Sequence, residues 1–194
     1  MKQTDKKIYL NKIQQRVMYI GAKTTVVVAG RRTGKTYGIG APFALRNMQR
    51  MPGSTGGIVV PTFRHGLTNT LPGLFSFWKN VGLVEGIHYV VGKRPPKTFA
   101  KAKIEPREYE HVISFYNGSR AVLISQDITG SSNSLTLDWL LVDEAKFINF
   151  AKEIYSFICF YFVFFRITLD TACITSHFSA YFFTMKPLIS MHTT

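Results

Sequence analysis

Acid, cysteine and long apolar runs are what this 194-residue sequence has least of. Its 24 lysines and arginines face 11 aspartates and glutamates, a formal net charge of +13. That imbalance fits a polyanionic partner, and by charge alone DNA, RNA or an anionic membrane surface would serve equally. The two cysteines, Cys159 and Cys173, are too few for a disulfide framework and lack metal-ligand spacing. The five histidines (His65, His88, His111, His177, His192) form no H-x-x-H or H-E-x-x-H pattern, which argues against a zinc site. The longest apolar run, 154–165, is broken by Ser156 and followed by Arg166 and Asp170. It falls short of the roughly 20 residues of a membrane span, so no membrane partner is expected. Residues 1–7 are charged and no apolar core with a cleavage site follows, so no secretory leader is read and cytoplasmic residence is expected.

What is present is a phosphate-binding pattern. Thr24 to Val28 is a β-branched run suited to a buried strand, and it breaks into Ala29-Gly30-Arg31-Arg32-Thr33-Gly34-Lys35-Thr36. A strand, a glycine-bearing turn and a helix beginning near Lys35 aim backbone N–H groups and the positive helix end at an anion. Gly30, Thr33 and Gly34 are expected to form the cradle, Lys35 would reach β- and γ-phosphates, and the Thr36 hydroxyl would ligate Mg²⁺. The pattern departs from G-x-x-x-x-G-K-[ST] at one place, where Ala29 stands for the first glycine.

A second element supports the first. Leu137-Asp138-Trp139-Leu140-Leu141-Val142-Asp143-Glu144 reads as a buried parallel strand ending in two carboxylates. Asp143 suits the Mg²⁺ shell and Glu144 suits a water-orienting base, the two anions that phosphoryl transfer to water needs. The adjacent glutamate speaks against a small-molecule kinase, which needs no such base.

Ala29 to Thr36, Pro61-Thr62-Phe63-Arg64 and Asp138 to Ile148 together resemble the ATPase domain of the large terminase subunit of tailed bacteriophages. The resemblance covers residues 1 to about 153. It implies ATP and Mg²⁺ as cofactors and packaging of double-stranded DNA into a procapsid. It further implies portal protein and a small terminase subunit as partners, a homo-oligomeric ring, and the host cytoplasm at the procapsid portal as the place of work. The family carries a basic residue in the phosphate loop that acts as an arginine finger, a role that falls here to Arg31 or Arg32. A glutamine upstream of the loop contacts adenine in that family, which nominates Gln14 or Gln15. Nuclease activity is not implied, because the acidic residues for it lie C-terminal to the region of resemblance. A helicase-like motor would need further arginine-bearing motifs downstream. A non-catalytic basic fragment that binds nucleic acid is the reading of a different class.

The rest of the chain reads as alternating elements. A short helix is expected within residues 7–20 and a helix from Lys35 to about Met51, kinked at Pro42 and stopped by Pro52-Gly53. A strand over residues 57–60 and a helix over 62–80 follow, the latter with Leu71, Leu74, Phe75 and Trp78 on its core face. Residues 93–107 hold six basic side chains and one acid, and read as an exposed loop with a short strand and a candidate DNA contact. Residues 111–115 and 120–125 around Asn117-Gly118 make a hairpin, and residues 130–134 a polar loop. The fold class is therefore α/β, a three-layer P-loop NTPase with a mainly parallel sheet, ligand at the carboxyl edge.

After Glu153 the composition changes. All 15 glycines precede this point, and eight of the 16 phenylalanines fall in residues 154–194, where only Arg166, Asp170 and Lys186 are charged. The expected division is an ATPase domain at 1–153, partial because no further coupling strand is recognisable, and an aberrant aromatic-rich tail at 154–194 in a foreign reading frame.

Overall fold

The computed structural model describes residues 8–20, 24–30, 32–127, 135–144 and, for backbone only, 163–167. Among these residues thirteen short elements form one seven-stranded sheet with helices against it. The strands are β1 (Thr24–Val28), β2 (Thr55–Val60), β3 (Tyr89–Val91), β4 (Val112–Phe115), β5 (Arg120–Ser125), β6 (Trp139–Val142) and β7 (Val163–Ile167). Their order is β1-β7-β6-β2-β5-β4-β3. The run from β1 to β5 is parallel and β5-β4-β3 is antiparallel, which agrees with a mainly parallel α/β sheet.

The centre is made by alternation. Ile58 and Val60 of β2, Ala121 and Leu123 of β5, and Trp139 and Leu141 of β6 face one core, while Val59, Ile124, Leu140 and Val142 face another. The first core is covered by α2 (Ala41–Arg50) and α4 (Leu71–Asn80), which bring Phe43, Ala44, Met48, Leu74 and Trp78 to it. Trp139 is fully buried against Phe43, whose ring centroid lies 6.1 Å away edge-on. Burying an indole removes on the order of 200 Å² from water, worth roughly 5 kcal/mol. Glycine at 56 permits it, since a Cβ there would lie 1.9 Å from the indole.

The helices open with wide turns. Lys12–Tyr19 is α1, capped by Asn11, whose side chain accepts from Gln14 N while Gln14 returns a bond to Asn11 N. The helix expected after Lys35 starts as a π-turn, Thr36–Gly40, and runs on as α2, so Pro42, which lacks an N–H to donate, sits where the wide turn passes into the α-helix. The helix expected over 62–80 is built alike: a single α-turn, α3 (Phe63–His65), a π-turn, Gly66–Thr70, then α4, with Pro72 again near its start. Leu71, Leu74 and Trp78 are buried there as expected, joined by Phe77.

The hairpin forms as its turn signal predicts, with Gly118 at φ 80 and Ser114 opposite Arg120.

Two expectations are corrected, and one strand is added. β1 is buried on one face only: Val27 joins the core, while Val26 and Val28 are 53% and 54% exposed, since no described element covers their face. The basic segment 93–107 contains no strand, and the short strand lies before it as β3. A further strand, unreadable from motif, does follow residue 153: β7 lies parallel between β1 and β6. The loop expected at 130–134 lies outside the described residues, as does the remainder of 154–194.

Candidate functional site

Parallel strands point their carboxyl ends one way, and two of the chemically suggestive segments leave the sheet at that edge. Val26 of β1 and Val142 of β6 both pair with Phe165 of β7, so β6 gives way to Asp143 at that level while β1 runs two residues further, to Val28, before its loop begins, and both segments leave toward the same edge. They are separated by two strand spacings, about 10 Å. From β1 springs the loop of residues 29–35, and from β6 the pair Asp143-Glu144.

The loop's irregular backbone is concentrated where the motif has it. Gly34 stands at φ 71, natural for glycine, and Arg32 at φ 59, costly for a side chain bearing Cβ. Ala29 is not left-handed, so the departure from the glycine pattern carries no backbone penalty. Lys35 is 4% exposed, and its ammonium donates to Ala29 O at 2.8 Å, to Gly30 O and to Thr33 Oγ1 at 3.3 Å. The lysine thus occupies the loop's own carbonyl groups. Thr33 Oγ1 also donates to Gly30 O at 3.0 Å. Thr36 follows as the first residue of the π-turn, half-buried.

Gln14 reaches this loop from α1. Its amide nitrogen donates to Thr33 O and Gly34 O, each at 3.4 Å, and it is buried against Gly34 and Gly38. A Cβ at Gly38 would lie 2.3 Å from that amide, so glycine there makes the seat in which Gln14 rests. Gln15 points elsewhere, donating to Leu10 O at 2.7 Å on the exposed side.

Asp143 is 4% exposed at the end of β6, with its backbone N–H on Val59 O at 2.9 Å. Its Oδ2 accepts from Thr70 Oγ1 at 2.6 Å, in the range of a charge-assisted O–H···O⁻ bond. Glu144, half-buried, stands at φ 57, a left-handed conformation that non-glycine residues rarely adopt outside sites that need it. Arg32 is exposed at the loop, and Arg31 lies outside the described residues.

Thr70 is the site residue that sequence reading misses. No local pattern marks it, since its partner lies 73 positions away. The only cue is its place nine residues after Pro61. Three positions on, Gly73 approaches the loop helix so closely that a Cβ there would meet Thr36 Cγ2 at 3.1 Å. The Thr36 hydroxyl and a buried Asp143 carboxylate are hard oxygen donors, few in number, which fits Mg²⁺ completing its shell with phosphate oxygens and water. Among the described residues no three His, Cys, Asp or Glu side chains cluster as an all-protein metal cage.

The basic segment 93–107 lies at the other edge of the sheet. With the start of β5 it lines a cleft of about 710 Å³ that includes Arg94, Lys97, Lys101, Tyr109 and Arg120. Arg120 is 9% exposed, its guanidinium donating to Thr55 Oγ1 at 2.9 Å and to Ile104 O. Burial draws its pKa below the ordinary arginine value, while Tyr109 acts the other way. No described helix is long and apolar enough to cross a membrane.

No protein-family model and no curated protein sequence matches the chain. Solved structures do. The large terminase of a thermophilic bacteriophage superposes with a TM-score of 0.59 at 14% identity, over 80% of this chain and 38% of that one. The same enzyme in complex with ADP gives 0.57 at 16% identity, over 81% and 39%. The ATPase domain of the Thermus phage P74-26 large terminase gives 0.54 at 17% identity, over 83% and 66%. The chain therefore shares the fold of large-terminase ATPase domains, and it spans under two-fifths of the length of the first of these enzymes.

Proposed function

We propose that the chain is the ATP-hydrolysing portion of a phage DNA-packaging motor subunit. The observation that carries this reading is the meeting of a Gly-Lys-Thr loop and a buried strand-end aspartate at one sheet edge, in a fold shared with terminase ATPase domains. In this reading ATP enters the loop and draws the Lys35 ammonium from the Ala29 and Gly30 carbonyls to the β- and γ-phosphates. Phosphate oxygens then replace three neutral acceptors with charged ones. Gln14 keeps the loop's Thr33 and Gly34 carbonyls fixed during the exchange, and its contact with the loop favours it over Gln15 as the glutamine that would meet the base.

Thr36 and Asp143 would hold Mg²⁺, which would supply neutralisation of the charge on the nucleotide's phosphates. Glu144 accepts a proton from the attacking water and orients it, its left-handed backbone turning it out of the line of β6. Arg31 or Arg32 stabilises charge on the transferring group, for which a planar guanidinium suits three equatorial oxygens better than an ammonium does. Double-stranded DNA is the polyanion that the charge of +13 serves, and the cleft around Arg94, Lys97 and Lys101 is where its phosphates would meet the subunit. A ring of subunits on the portal, a small terminase subunit selecting DNA and a location in the host cytoplasm complete the proposal.

DNA-stimulated ATP hydrolysis tests it. Lys35→Ala and Glu144→Ala are each expected to lower turnover by about 100-fold or more, the scale of losing one transition-state contact. Hydrolysis indifferent to both substitutions would rule out the site, and DNA binding without turnover would leave a non-catalytic nucleic-acid-binding fragment.

A further inference from the structure

The segment between β2 and β3 touches both residues assigned to the metal. Thr70 closes the π-turn Gly66–Thr70, is 1% exposed, and gives its hydroxyl proton to Asp143 Oδ2 at 2.6 Å. Gly73, less than one turn later, lets α4 lie directly on the Thr36 side chain, at 3.1 Å from where a Cβ would stand. Elsewhere α4 is tied to the helix that continues from Thr36: Trp78 Nε1 donates to Ala41 O at 3.2 Å, and Asn80 Nδ2 to the Tyr37 hydroxyl at 2.7 Å. One helical unit therefore sets the spacing of the loop helix and holds the carboxylate at the end of β6.

A buried threonine in a helix has a cheaper option, a bond to the carbonyl one turn back. Thr70 bonds instead across the fold. The π-turn makes this geometry available: Leu71 N closes on Gly66 O, and the extra residue in the turn rotates the next residues by roughly 100° relative to an unbroken α-helix. An aspartate's terminal torsion is broad, so a carboxylate needs an external donor to fix its plane.

We propose that Thr70 is a positioning residue that orients the Asp143 carboxylate for Mg²⁺, with Gly73 setting the approach of Thr36 from the same helix. The inference rests on the Mg-nucleotide reading of the site. Groups that hydrogen-bond a ligating carboxylate affect metal affinity by about 10–100-fold when removed.

The test is Mg²⁺ titration of the full chain with a fluorescent ADP analogue, in wild type, Thr70→Val and Thr70→Ser, with melting temperature measured in parallel. The valine variant keeps the shape and loses the donor. It is expected to bind the analogue without metal as wild type does, while the Mg²⁺ concentration for half-maximal response rises about 10-fold. Serine is expected to restore it to within about threefold of wild type. An unchanged Mg²⁺ response in the valine variant, or a serine variant as impaired as valine, overturns the role. Should valine prevent folding, Thr70→Cys and Thr70→Ser decide: the weak thiol donor must raise the Mg²⁺ requirement and serine must not, and equal responses overturn the proposal. Wild type that binds no Mg-nucleotide overturns the underlying site as well, a result distinct from a bound wild type with an indifferent valine variant.

Discussion

The two strands that carry the site are held in opposite ways. β6 is buried along its whole length, between β2 and β7, and Asp143 inherits its position from packing that includes the fully buried Trp139. β1 ends the sheet with Val26 and Val28 half exposed, and its loop is held by polar bonds: Lys35 and Thr33 on loop carbonyls, Gln14 on two more. The carboxylate side is thus fixed by shape. The phosphate side is fixed by hydrogen bonds that a ligand can exchange. On the proposed reading a nucleotide site would profit from that division, with Asp143 staying in place for the metal while Lys35 moves.

If the contrast holds, the largest effect comes from disturbing the packed side. Gly56→Ala puts a methyl 1.9 Å from the indole of Trp139 in the centre of the sheet, where neither backbone nor ring has room to yield. A loss of about 3 kcal/mol or more, or failure to fold, is expected by urea denaturation, at the upper end for overpacking. The polar side should respond more gently in stability and more sharply in binding. Gln14→Ala removes a half of the Asn11 capping box together with two loop bonds, for a stability loss of about 1–2 kcal/mol. Its nucleotide affinity, measured by calorimetry, should fall by more than its change in melting temperature implies, and an unaltered affinity would show that Gln14 only caps α1. The smallest effect carries the opposite sign: Arg32→Gly relieves an exposed left-handed arginine at φ 59 and is expected to stabilise by up to about 1 kcal/mol. If Arg32 is the finger, the same variant gains stability while losing turnover.

How much of the fold and site is legible in the sequence depends on the range over which each feature is encoded. The proposed phosphate loop and the Asp143-Glu144 strand are contiguous, so spacing alone nominates them, and periodicity finds α4 through Leu71, Leu74 and Trp78. The exposure of one face of β1 is not written in its residues: Thr24 to Val28 is as β-branched as a central strand, and that face is open because no described element covers Val26 and Val28. β7 is hidden because the aromatic-rich stretch after 153 bears no motif, and its pairing is a property of two other strands. Thr70 is hidden for the same reason in a stronger form, since its chemistry depends on a partner 73 residues away and on a π-turn that shifts its helical phase. Gln14 and Gln15 are neighbours that sequence cannot separate, whereas the capping box turns one to the loop and leaves the other outside.

The central claim is that the loop of β1 and the carboxylates after β6 act as one site. ATP turnover by wild type, Lys35→Ala, Glu144→Ala and the double variant tests it most directly. Residues that act as a unit are grossly non-additive, so each single variant is predicted to be slow and the double variant about as slow as the slower single. Effects that multiply in the double variant, or a single variant that turns over ATP like wild type, would contradict the account.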